Sequence, residues 1–111
     1  MLIIKDSTIE LNCLHPALGL ALAATVSPLL EKHGSDTIVT SGSEQSARHR
    51  ATSLHYAGQA VDIRRRDPST LEPLYNAASV ASSLKAFLSI DFDIVLEETH
   101  IHIEYQPKRR G

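Results

Sequence analysis

S-L-H-Y-A-G-Q-A-V-D, residues Ser53 to Asp62, is the most informative feature of the chain. It places an imidazole at His55 and a carboxylate at Asp62, with the small residues Gly58 and Ala60 between them. Its end, Ala60-Val61-Asp62-Ile63, has the β-branched, alternating pattern of a strand, and Asp62 then faces away from Val61 and Ile63. A second cluster, L-E-E-T-H-I-H-I-E-Y, runs from Leu96 to Tyr105. It reads as a hairpin: strands over Phe92 to Leu96 and His100 to Tyr105, joined by a tight Glu97-Glu98-Thr99 turn.

Outward from these strands the chain reads as a compact α+β domain. Thr37-Ile38-Val39-Thr40 is a further strand, bounded by Asp36 and Gly42. The polar, aperiodic stretch from Ser41 to Ser53 reads as a loop. A first helix opens at His15-Pro16, because proline is tolerated at a first helical position. Its apolar stripe is Leu18, Leu22, Val26, Leu29 and Leu30, and Gly34 closes it. Pro28 inside the pattern predicts a kink or an irregular last turn. A second helix is expected after Pro68, with Ser69 and Glu72 as a capping box and Leu71, Leu74, Ala78, Ala81, Leu84 and Leu88 as its stripe. Helices packed on a small, mostly antiparallel sheet are the expected architecture.

Composition narrows the function classes. With 111 residues, 42% of them hydrophobic, the chain is one domain with one core. A formal net charge of -2 argues against general nucleic-acid binding. Two basic runs stand out, Arg64-Arg65-Arg66 and Lys108-Arg109-Arg110; the first, directly after Asp62, reads as an exposed loop in preference to a place near the site mouth, the second as a solvated tail. Cys13 is the single cysteine, so an intrachain disulfide is impossible, and a buried free thiol is expected. Leu18 to Leu30 is too short and too interrupted to span a bilayer, and M-L-I-I-K-D lacks the pattern of a signal peptide. The expectation is a soluble monomer, cytoplasmic at synthesis, without a membrane partner.

The residues with chemistry are His55, Asp62, the pair His100 and His102, and the glutamates beside that pair. A catalytic zinc takes three nitrogen, oxygen or sulfur ligands and keeps one position for water. A carboxylate that is not a ligand then moves the proton to the leaving group. His100 and His102 are two apart, so both imidazoles share one face of a strand. His15 and His33 read as solvated histidines without a role.

Ser53 to Asp62 resembles the zinc-site segment of hedgehog signalling domains, and of the related bacterial and phage D-Ala-D-Ala carboxypeptidase and L-alanyl-D-glutamate endopeptidase family. Val39-Thr40 through Asp62 and the F-D-I-V-L-E…H-I-H strands carry the resemblance, which covers roughly residues 35 to 105. It implies a hedgehog-like or peptidase-like fold, bound Zn2+, and hydrolysis of peptidoglycan stem peptides at a D-Ala-D-Ala or L-Ala-D-Glu type bond. It makes His55, Asp62 and His102 the metal ligands, with His100 a substrate-facing or orienting group and His49 a stabiliser of the oxyanion. Glu97, ending the first strand of the hairpin, becomes the base in preference to the mid-turn Glu98. Carboxypeptidase members place that Glu three residues before the last ligand, where this chain has Thr99. Glu104 shares the face of His102 and would orient an imidazole. Arg48, Ser53 and Tyr56 would contact substrate.

Two departures qualify the resemblance. Ser41, Glu44 and Ser46 stand where hedgehog domains need an acidic set, so calcium is not expected. The arginine that many peptidase members carry soon after the Ser-Gly turn is missing, and Arg48, Arg50 and Arg64 are the residues available for its role. That leaves endopeptidase as well as carboxypeptidase activity open. The alternative readings are a binding module that keeps zinc without catalysis and a structural or virion part without metal. An enzyme of this kind without an export signal would reach the wall by a holin-type pore, lysis or virion delivery.

Overall fold

The computed structural model describes residues 1–11, 14–42 and 58–107. Five strands form one mixed sheet in the order β1-β2-β3-β5-β4. They are β1 (Leu2–Ile4), β2 (Thr37–Ser41), β3 (Ala60–Arg64), β4 (Phe92–Leu96) and β5 (His100–Tyr105). Only the β1–β2 pair is parallel; the other three are antiparallel. The α+β architecture with a mostly antiparallel sheet is therefore present.

The alternation read in β3 and β5 is what gives the sheet two unlike faces. Val61, Ile63, Ile101 and Ile103 are fully buried. Asp62, His100, His102 and Glu104 point the other way and are only partly buried. Cross-strand register pairs like with like: Asp62 lies opposite His102 and Val61 opposite Ile103. A one-residue slip would bury the charges, so the pattern itself specifies the register.

The helices among the described residues cover the apolar face. The segment α1 (Pro16–Ala21), a π-helical turn (Leu22–Val26) and α2 (Ser27–Lys32) run on continuously. Leu18, Leu22, Val26 and Leu30 from it are buried in the same cluster as Val39, Val61, Ile63 and Ile103. The irregularity expected from Pro28 lies just before it rather than in the last turn. The Ser27 N–H donates to the Leu22 carbonyl, five residues back, and Pro28 has no N–H with which to restore the α pattern. His15, expected to be idle, caps α1 by accepting from the Ala17 N–H at 3.1 Å. Its ring lies 4.5 Å from that of Tyr105.

The second helix starts later than expected. α3 spans Ala77–Phe87, and its cap is Asn76, whose side chain accepts from the Ser79 N–H. Its buried stripe is Ala77, Val80, Ala81 and Leu84, whereas Leu71 and Ala78 are exposed. Pro73 explains the difference, because a helix from Ser69 would hold it in the interior, without its N–H and against the preceding turn. Residues 65–74 instead form a pinned loop. The Asp67 carboxylate accepts from the Ser69 and Thr70 N–H groups, and Arg66 bridges to Pro73.

Two further corrections follow. β1 was not anticipated: it is a three-residue edge strand, half-exposed along its length, too short to show a period. The arginine triplet is not an exposed loop. Arg64 ends β3 and all three residues are half-buried. Arg65 and Arg66 donate to the carbonyls of Glu97 and Glu98, at 2.8 and 3.1 Å, and so tie the β4–β5 turn to the 65–74 loop.

Candidate functional site

The polar face of the sheet centres on Asp62. The His102 Nδ1 lies 2.6 Å from the Asp62 carboxylate, and the His102 Nε2 lies 2.8 Å from the Glu104 carboxylate. One imidazole is thus held at both nitrogens by carboxylates, one from β3 and one from its own strand. His100 approaches the same Asp62 oxygen at 3.6 Å through Nε2, and its Nδ1 meets the Thr99 hydroxyl at 3.1 Å. These groups are mostly covered: side-chain exposure is 14% for Asp62 and 17% for His102.

Electrostatics follow from that packing. Burial disfavours the charged imidazolium of His102, but hydrogen bonds to Asp62 and Glu104, and their negative charges, outweigh it. The result is a His102 pKa pushed up to about 9.

A cavity of about 540 Å³ opens beside Asp62, within the size range of small-molecule sites. Thr40, Ser41, Asp62 and Arg64 line it from the sheet, and Thr99 and His100 from the hairpin. The 66–71 loop supplies another wall and Lys5 the far side. A bulge shapes the sheet side. Val39 pairs with Ile63 and Ser41 with Asp62, so Thr40 and Ser41 crowd against one step of β3.

Of the expected site residues, Asp62, His100 and His102 come together. Glu97 ends the ladder: its N–H donates to the His100 carbonyl at 2.9 Å, so Glu97 continues the face of His100 one step beyond β4. It is exposed and does not line the cavity. Glu98 is exposed in the turn. Glu104 is the carboxylate in contact with an imidazole, in the orienting position expected of it. His49, His55, Arg48, Arg50, Ser53 and Tyr56 lie outside the described residues, as do Cys13, Glu44, Ser46 and the Lys108-Arg109-Arg110 run.

At Gly42 a Cβ would lie 2.3 Å from the Glu10 carbonyl oxygen, so no other residue fits without a shift. Gly58 has φ 71°, a conformation that suits glycine, and its carbonyl accepts from the His15 N–H at 2.8 Å.

Among the described residues no group of three His, Cys, Asp or Glu side chains is arranged to hold a metal ion. Two do fit part of a zinc site. The Asp62 oxygen and the His102 Nδ1 are 2.6 Å apart, both of types that bind zinc, and Glu104 contacts the other His102 nitrogen, as a carboxylate behind a ligating imidazole does. Arg64, one of the arginines offered for the missing peptidase arginine, is on the Asp62 face by two-residue alternation and lines the cavity. One lining residue escaped the sequence reading. Lys5 reaches the cavity only because β1 exists, and no motif announces that. No model of a known protein family matches the chain, and no curated protein matches it. Among the described residues, no helix is long and apolar enough to cross a membrane.

Proposed function

We propose that this chain is a zinc-dependent peptidase that hydrolyses peptidoglycan stem peptides, of the hedgehog and D-Ala-D-Ala carboxypeptidase type. The observation that carries this reading is the meeting of Asp62 and His102. They are forty residues apart in sequence and 2.6 Å apart in space, beside a cavity and backed by Glu104. His55, Asp62 and His102 are the proposed ligands. Zinc bound there would supply an acidified water and a Lewis acid for the scissile carbonyl.

The chain's own residues do the rest. Glu104, on the other ring nitrogen, orients His102 and keeps it basic. His100, on the cavity wall, donates to the developing oxyanion, and His49 is the second candidate for that role. Glu97 accepts the proton of the attacking water and passes it to the leaving amine. Product release would follow through the open side of the cavity.

The exposed position of Glu97, away from the cavity lining, is the observation that favours the alternative. In that reading the chain keeps zinc as a binding module without turnover. One experiment separates the two: purified peptidoglycan is incubated with zinc-loaded protein and the released peptides are identified by mass spectrometry. Cleavage at a stem-peptide bond is expected. Zinc-loaded protein that releases nothing would leave the binding module.

A further inference from the structure

We propose that Arg65 and Arg66 are positioning residues that clamp the Glu98-Thr99 turn and so hold His100 at the cavity wall and Glu97 at the end of β4; this rests on the peptidase reading. Three successive carbonyls are involved. The Glu97 carbonyl accepts from Arg65 Nη1 at 2.8 Å and the Glu98 carbonyl from Arg66 Nε at 3.1 Å. The Thr99 carbonyl accepts from the Arg65 N–H at 3.3 Å. Every carbonyl between β4 and β5 is therefore held by two consecutive, half-buried residues just past β3.

The turn needs donors from outside. The Glu97 N–H donates to the His100 carbonyl, which leaves Glu98-Thr99 as a two-residue loop. Two-residue loops that match the strand twist need a positive φ at one or both positions, and loops without it splay the strands. Among the described residues Leu71 is the one non-glycine with positive φ, so neither Glu98 nor Thr99 supplies it. Charge-assisted bonds from the two guanidinium groups oppose the splaying. Arg66 also reaches the Leu71 carbonyl at 3.2 Å. The loop there is stiff by itself: Leu71 donates to the Asp67 carbonyl and Asp67 to the Glu72 carbonyl, at 2.9 and 2.8 Å. One guanidinium thus joins a stiff loop to the turn, and Leu71, Thr99 and His100 all line the cavity. The Thr99 hydroxyl in turn lies 3.1 Å from His100 Nδ1. A turn that drifts carries His100 and Glu97 with it. Asp62 and His102 face each other within the β3–β5 ladder and are held by its register instead.

The test compares Arg65→Gln, Arg66→Gln and the two lysine variants with wild type, all as the full chain. One readout is NMR of the histidine rings with chelator present. The other, on zinc-loaded protein, is kcat and KM for the synthetic peptide L-Ala-D-Glu-L-Lys-D-Ala-D-Ala, with zinc content by elemental analysis. Arg66→Gln should move the His100 ring signals, leave those of His102 in place and keep zinc. Its kcat should fall about tenfold with KM changed by less than about threefold, because displaced groups that act in the transition state cost rate rather than binding. Arg65→Lys can still reach one carbonyl and should keep most of the rate. Arg66→Lys cannot fork across two carbonyls and should keep less. If a glutamine variant does not fold, the lysine pair carries the test. Unmoved His100 signals, an unchanged kcat, a change in KM alone, loss of zinc, or equal lysine variants would overturn the clamp. Wild-type protein that cleaves nothing would count against the peptidase reading, and the ring signals would then decide the clamp alone.

Discussion

The His102 bridge makes the stability of the metal-free chain depend on pH in a defined window. His102 has a pKa of about 9 in the fold against 6.5 for the free side chain. The folded state therefore holds this proton more tightly than the unfolded chain does. Its contribution is fully present below pH 6.5, declines as pH rises, and is gone once pH passes about 9. A shift of that size corresponds to about 3 kcal/mol, at about 1.4 kcal/mol per pKa unit. The perturbation is His102→Gln, which fills similar space and cannot be charged. The assay is urea unfolding at pH 6, 7.5 and 9.5 with chelator present, because bound zinc would replace the proton. Subtracting the variant from wild type cancels lysines and tyrosines that titrate in both. The difference should be largest at pH 6 and shrink by about 3 kcal/mol by pH 9.5. A difference that stays flat, or grows with pH, would refute the claim that Asp62 and Glu104 hold an imidazolium between them.

Three further outcomes are expected. His55→Ala and His102→Ala should each yield protein without zinc by elemental analysis, whereas His100→Ala should stay loaded, with affinity or activity lower by about ten- to a hundredfold; the reverse order for the two hairpin histidines would move the ligand to His100. Glu97→Gln should lower hydrolysis by roughly a hundredfold with zinc still bound, in line with general-base catalysis; an unchanged rate would take the base role away from Glu97. Gly42→Ala should destabilise the fold by about 1–3 kcal/mol in urea, because its Cβ would press on the Glu10 backbone, and a neutral effect would show that residues 10 and 11 give way freely.

Alternation and spacing were enough to locate β2, β3, β4 and β5 and to put Asp62, His100, His102 and Glu104 on one face. Strand period is local: each residue's side is set by its neighbours along the chain. The stripe Leu18, Leu22, Val26 and Leu30 was legible for the same reason, since a 3.6-residue period needs only its own helix. The tertiary structure decided what depends on contacts distant in sequence. β1 exists because β2 offers it a ladder, not because three apolar residues demand a strand. Pro73 keeps a helix from starting at Ser69, but the path of residues 65–74 is set by the hydrogen bonds of Arg65, Arg66 and Asp67 there and to the hairpin turn. The pairing of Asp62 with His102, rather than equally with His100, came from the β3–β5 register, which sets those two residues directly opposite and His100 opposite Arg64.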